Sequence, residues 1–410
     1  VVVSPLGAVG AVAATTVLAY LALAAVAYFV YRLGTVWFDR PIGVVAALLV
    51  LTRVPFLSNG LRGFVDLPYL ALVLGALLVE SRRPRAGWPV LALLAAAGLL
   101  RPEAWLFSFA YLAYLLLERD PERGGWALRR RPGADGRQVL AWGALAFAAP
   151  VLWALFDWIT AGEPLYSFTA TRDTVAILER HTGPVELFTY SPHQLVQTTS
   201  EAGLLAAAVG ICLAFAFLRR RALVALAALA LAAVAFAILA GAGLAIISRY
   251  MMLGGALLCV FCAVALLGWR LLGPEQAAWR RRWQVIAAAL LLAFLVTAPR
   301  QERDVAQVGD VAREEKEIGD DLRELADSGR FASDCQPISV PGVQAVPRLG
   351  FWLDLSPDDF ALAGEGEQVD RGYYLVPASA EAELHYGSAR APPRAHLVTE
   401  NPSWKLYSRC

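Results

Sequence analysis

The sequence predicts a mostly α, polytopic helical membrane protein of about ten spans with a small C-terminal α/β domain. Three observations carry this reading. Of 410 residues, 58% are hydrophobic and only 17% charged, a balance that water-soluble domains rarely show. Apolar runs recur along the first 299 residues, and about 20 apolar residues suffice to cross the hydrocarbon of a bilayer. From Arg300 onward the chain turns polar, with short apolar stretches set between Pro and Gly. The formal net charge of +1 gives no electrostatic reason to expect a nucleic acid partner.

Ten hydrophobic segments lie near 8–31, 41–58, 66–80, 87–100, 103–117, 139–158, 202–218, 222–244, 251–268 and 284–298. The fourth and fifth belong to one greasy run interrupted by GLLRPEAWLF. That run is too long for one crossing and about right for two, so Arg101, Pro102 and Glu103 mark a turn at a membrane surface. Pro102 suits the first turn of the following helix, where its missing N–H costs nothing.

Arginine sets the orientation, because only Lys316 and Lys405 are lysines. The loops holding Arg32 and Arg40, Arg82 to Arg85, Arg119 to Arg137, Arg219 to Arg221 and Arg270 to Arg282 carry eighteen arginines. The opposite loops carry six, namely Arg53, Arg62, Arg101, Arg172, Arg180 and Arg249. The positive-inside rule makes the first side cytoplasmic. Both ends of this sequence and the tail from residue 300 then lie outside. The arginine-over-lysine, alanine-rich usage is that of a GC-rich bacterial genome, which makes the bacterial cytoplasmic membrane the expected location.

The tail divides into a charged helix, RDVAQVGDVAREEKEIGDDLRELADSGRF, and five strand-like stretches, QPISVP, GFWLDL, RGYYLVPAS, AHLVTE and SWKLYSRC. Its aromatic residues Trp352, Tyr373, Tyr374 and Trp404 read as core. The domains are therefore expected at 1–299 and 300–410. Cys212, Cys259 and Cys262 sit in apolar runs and read as small buried hydrophobes. Cys335 and Cys410 are the only two in the polar tail, and an extracytoplasmic tail would let them form a disulfide.

The unusual residues gather on the outer turns. LTRVPFLSNGLRGFVDLPY places Arg53 inside an apolar run and Asp66 directly before a span. RPEA adds Arg101 and Glu103, and ISRYMML adds Arg249 and Tyr250. A charge at membrane depth costs about 2.5–3.5 kcal/mol on insertion scales, so such groups face a cavity or a partner. Arginine offers a planar fork suited to phosphate, and a neighbouring carboxylate can take a proton from an attacking hydroxyl. His181 and His193 are too isolated to make a metal site.

The order of spans and turns, with GFVDLPYLAL, GLLRPEAW and FDWITAGEPLYS in sequence, resembles the GT-C membrane glycosyltransferases. More narrowly it is similar to the protein mannosyltransferase and aminoarabinose transferase branch. The resemblance covers roughly residues 1–300 and rests on short, degenerate motifs. It implies a sugar donor on polyprenyl phosphate, an acceptor hydroxyl on a lipid, glycan or protein, and inversion at the anomeric carbon. It implies catalytic roles for Asp66 and Glu103, with donor-phosphate binding by Arg101, Arg249 and Tyr250, and it leaves the divalent-metal requirement open; Arg53 joins the candidate phosphate ligands by its place in an apolar run on the same face. In that family a further span and a first outer loop with the main acid precede the first segment here. The sequence, opening VVVSPLGAVG, is thus expected to be an N-terminally truncated piece. The competing reading is a non-catalytic scaffold or inactive homologue displaying the tail domain. A transporter would want polar groups near the bilayer midplane and an internal repeat, and neither is evident.

Overall fold

The structure is a computed structural model that describes residues 7–119, 126–128, 135–177, 180–331, 335–363 and 369–410. Arg123, Arg129, Arg130 and Arg131 of the basic loops lie outside the described residues. The chain divides into two compact units, one of Val12–Val305 and one consisting mainly of Ala306–Cys410.

The first unit is helical: α1 (Gly7–Trp37), α2 (Arg40–Leu51), α3 (Val54–Leu61), α4 (Asp66–Arg82), α5 (Trp88–Leu100) and α6 (Glu103–Leu116). A short hairpin, β1 (Leu117–Arg119) and β2 (Trp126–Leu128), follows, then α7 (Gly136–Ala161), α8 (Tyr166–Ile177), α9 (Pro184–Thr189) and α10 (Ser191–Thr199). Next come α11 (Glu201–Phe217), α12 (Arg219–Gly241), α13 (Met252–Leu267) and α14 (Ala277–Asp327). Each of the ten predicted segments is therefore helical. Among the described residues, five helices are long and apolar enough to cross a membrane, or up to seven when each of two bent pairs counts as one span. The sequence count of ten exceeds this for a physical reason. Helices α4, α5 and α6 have 17, 13 and 14 residues. At 1.5 Å per residue they run about 20–26 Å, short of a hydrocarbon core of roughly 30 Å.

Helix α13 is the axis of the packing, with 83% of its apolar window buried where the other long spans show 17–22%. Helices α2 and α11 lie against it. Small residues allow this approach: a Cβ at Gly210 on α11 would lie 2.0 Å from the Phe261 carbonyl oxygen. Cys259 and Cys262 are buried in this core as expected, and the Cys262 thiol donates to the Gly203 carbonyl, whereas Cys212 of α11 is exposed rather than buried. Contacts between the basic loops agree with their shared side. Arg221 donates to the Phe38 carbonyl at 3.2 Å, and Arg270 lies 3.8 Å from Asp39, whose side chain caps α2.

In the second unit a five-stranded sheet has the order β4-β3-β5-β7-β6, from β3 (Ile338–Val340), β4 (Phe360–Leu362), β5 (Gly372–Pro377), β6 (His396–Glu400) and β7 (Trp404–Arg409). Strands β3, β4 and β5 are parallel, and β5, β7 and β6 antiparallel. Ile318, Leu322 and Leu325 of α14 pack on Tyr373, Leu375, Trp404 and Leu406. The Trp404 indole N–H reaches the Ile318 carbonyl. Tyr374 is buried too, its hydroxyl donating to the Val369 carbonyl. Cys335 and Cys410 form the disulfide.

One expectation changes here. GFWLDL is not a strand but the end of α15 (Val346–Leu353), started by Pro347 and closed by Asp354 in the left-handed region. Leu349, Trp352 and Leu353 fall at i, i+3 and i+4, the helical spacing that the strand reading passed over. Helix α14 runs through Pro299 as one helix of 51 residues, and the division into two units falls within it, between Val305 and Ala306. The last helix, α16 (Ala380–Tyr386), begins at a Ser379 cap whose side chain accepts from Ala382 N–H.

Candidate functional site

The RPE turn, the start of α4 and the 3-10 turn Ser248–Met251 meet. Their charged residues form a quartet: Asp66, Arg101, Glu103 and Arg249. Arg101 is extended at the C-terminal end of α5, and Pro102 is the N-cap residue of α6. The turn therefore brings Glu103 back onto the Arg101 guanidinium. Arg101 Nε donates to both Glu103 oxygens at 3.1 and 3.2 Å, Nη2 donates to Glu103 Oε1, and Nη1 donates to Asp66 Oδ1. Arg101, Asp66 and Glu103 are 5%, 1% and 6% exposed. So deep a set of charges persists only when each is paired and hydrogen-bonded.

Arg249 differs from Arg101. Its side chain is 40% exposed, and Nη2 lies 3.0 Å from Asp66 Oδ2. That contact is not aligned as a hydrogen bond. Among the described residues, neither Asp66 Oδ2 nor the buried Arg249 Nε has a hydrogen-bond partner.

Aromatic rings complete the site. The Arg101 guanidinium lies 4.4 Å from the Tyr250 ring centroid and 5.4 Å from that of Tyr69. Arg249 lies 4.6 Å from the centroid of Phe64, whose ring Arg62 also covers at 5.5 Å. Such cation–ring contacts fix the planes of the guanidinium groups. Tyr69 and Phe64 were not singled out in the sequence. The available signal was position, since Phe64 and Tyr69 lie two residues before and three after Asp66 in the quoted turn.

Five of the six predicted residues thus come together, and Arg53 does not join them. Helices α2 and α3 bend by 61° at Arg53, and α10 and α11 by 98° at Ser200. Each break leaves backbone carbonyls without helical partners. Arg53 Nη1 donates to the Thr199 carbonyl at 3.0 Å, Nε to the Leu49 carbonyl at 3.3 Å and Nη2 to Thr52 Oγ1 at 3.0 Å. A charge in an apolar run is here the fastener of two broken helices, which a sequence cannot distinguish from a ligand-binding arginine. Asp157, a carboxylate near the end of α7, accepts from the N–H and hydroxyl of Ser167 and fixes the start of α8.

The quartet is poorly suited to a divalent ion. Three of its four carboxylate oxygens already accept from Arg101. Among the described residues no group of three or more His, Cys, Asp or Glu side chains converges.

No protein-family model and no curated protein matches this sequence. Among solved structures, the fold is similar to the crystal structure of ArnT from Cupriavidus metallidurans bound to undecaprenyl phosphate. The TM-score is 0.54 and identity 13%, over 96% of this chain and 83% of that one. ArnT is an aminoarabinose transferase of the GT-C type. This chain therefore has a GT-C-like fold, and at that identity the likeness extends to the fold alone.

Proposed function

We propose that the chain is a membrane glycosyltransferase that moves a sugar from a polyprenyl-phosphate donor to an acceptor hydroxyl at the outer face of the bacterial cytoplasmic membrane. The observation that carries this is the pairing of buried Asp66 with half-exposed Arg249 in a GT-C-like fold. A sugar transfer of this kind needs a carboxylate to take a proton and a cation to stabilise a leaving phosphate, and the pair supplies both.

In the step proposed, the acceptor oxygen forms a bond to the anomeric carbon as its proton passes to Asp66. The bond from that carbon to the phosphate oxygen breaks, and its electron pair stays on the phosphate. Arg249 offsets the charge that develops there. Arg101 and Glu103 have spent their hydrogen bonds on one another and on Asp66, so their part is to position Asp66. Tyr250 holds the plane of Arg101. The Cys335–Cys410 disulfide supports placing the C-terminal unit outside, where thiols oxidise.

The test uses the purified chain in lipid nanodiscs, polyprenyl-phosphate sugars with different headgroups, and bacterial membrane extract as the acceptor source. Release of polyprenyl phosphate is the readout. Wild type should release it from one headgroup class, and Arg249→Gln and Asp66→Asn should each lose at least about a hundredfold in rate, as expected when a group acting in the transition state is removed. Full release by both variants would refute the assignment. No release by wild type from any headgroup would favour the scaffold reading.

A further inference from the structure

We infer that Asp66 is an internal occupant of the anion position on Arg249: the donor phosphate must displace it, and the displacement frees the oxygen that takes the acceptor proton. This rests on the function proposed above and adds to it a coupling between donor binding and the base.

Three features of the quartet support it. The first is asymmetry, since Arg101 uses Nε, Nη1 and Nη2 on Asp66 and Glu103. Arg249 instead engages Asp66 through Nη2 alone, without hydrogen-bond alignment, and keeps Nε unpartnered among the described residues. An arginine binds a phosphate best through two parallel N–H donors, and a carboxylate seated on Nη2 blocks that mode.

The second feature is that Asp66 has somewhere to remain. Its Oδ1 is held by Arg101, so losing Arg249 does not strand a bare carboxylate in an apolar setting. The third is the consequence for Oδ2. In the resting arrangement its only polar neighbour among the contacts described is Arg249. When Arg249 turns to a phosphate, Oδ2 becomes a buried acceptor beside the bound donor. Base and donor are then assembled together, and without a donor the base stays blocked.

Competition of this kind is reciprocal, and coupling between two occupants of one site commonly amounts to about five- to 150-fold in affinity. The experiment measures binding of undecaprenyl phosphate to the full chain in detergent by native mass spectrometry, with inorganic phosphate in a parallel titration. Asp66→Asn keeps the shape and removes the competing charge, and Asp66→Ser guards against an effect peculiar to the amide. Both should bind undecaprenyl phosphate at least about fivefold more tightly than wild type, at the lower edge of that range, whereas Arg249→Gln should bind it more weakly.

If Arg249→Gln weakens binding but both Asp66 variants match or fall below wild type, the competition is refuted while the function proposed above stands. If Arg249→Gln binds as well as wild type, the phosphate assignment itself fails. Tightening for undecaprenyl phosphate alone identifies the occupant as a lipid headgroup. Equal tightening for inorganic phosphate identifies a general phosphate position. Wild type and both variants are compared only where gel filtration and thermal melting show the same folded species, and a variant that melts early is replaced by the other.

Discussion

Replacing Arg101 by Met should destabilise the protein, and relieving Glu103 at the same time should restore it. Arg101 is 5% exposed and is the main partner of two buried carboxylates. Its loss leaves Asp66 and Glu103 with only the half-exposed Arg249, which contacts Asp66. Breaking a buried pair by removing one partner costs about 3–5 kcal/mol, because the remaining charge is uncompensated. Methionine keeps much of the volume, so a cavity contributes little to that figure. The double variant Arg101→Met with Glu103→Gln leaves one carboxylate facing one guanidinium. Since neutral replacements of buried ion pairs are often close to neutral in stability, the double variant should recover about 2 kcal/mol or more. The assay is unfolding of all three variants and wild type in one detergent, read as a double-mutant cycle. A coupling of about 0.5–3 kcal/mol is the signature of contacting residues. Additive losses, within about 0.5 kcal/mol, would show that Arg101 and Glu103 do not act as a pair and would refute the reasoning. The family resemblance implies a phosphate ligand at Arg101, whereas its hydrogen bonds to Asp66 and Glu103 are the basis for expecting a structural cost here.

Three further outcomes follow from packing and local structure. Gly210→Ala should cost about 1–3 kcal/mol in unfolding experiments, since the added methyl meets the backbone oxygen of Phe261 on the central helix; a neutral effect would mean α11 and α13 are not in close contact. Cys410→Ser should lower stability by about 4 kcal/mol on the chain-entropy account of a 75-residue separation, and non-reducing peptide mapping of wild type should recover the Cys335–Cys410 pair. Asp157→Ala removes both acceptors of Ser167; it should cost about 1–3 kcal/mol for the unsatisfied groups and open the α7–α8 connection to proteolysis, and an unchanged cleavage pattern would remove that role.

Much of the fold was legible because membrane helices write themselves into hydropathy. All ten apolar segments are helices, and the turns assigned to one side by arginine counting hold Asp66, Arg101 and Arg249, which touch. That these turns share one side could be read because it depends on many charges at once. Length could not be read so well. Hydropathy registers where apolar residues run but not where a helix is cut, and α2 breaks at Arg53 inside such a run. The same blindness affected the site. Arg53, Arg101 and Arg249 look alike in sequence, each an arginine at an apolar border. They differ only in what lies opposite: helix-end carbonyls for Arg53, two carboxylates for Arg101, and one loosely held carboxylate plus exposure for Arg249. Partners distant in sequence decide the role of a charged group, and one sequence does not display them. In the C-terminal unit α15 is only eight residues long, so short that its apolar i, i+3, i+4 spacing does not stand out from a strand-length apolar run.

The charge balance of the quartet bears on the chemistry proposed. Asp66 and Glu103 against Arg101 and Arg249 sum to zero at rest, which suits a site this deeply buried. A phosphodiester donor brings one negative charge. During transfer the phosphate gains a second as the sugar leaves, and the proton from the acceptor neutralises Asp66. The total within the site is the same before and after the step, so no net charge has to enter or leave a low-dielectric region while bonds change. Had the base been solvent-exposed, its proton would be lost to water and the site would carry an extra negative charge beside the product phosphate. In the step proposed, burial of Asp66 at 1% exposure would keep the transferred proton inside the site while the product phosphate is bound, and half-exposed Arg249 is the cation from which that product would leave.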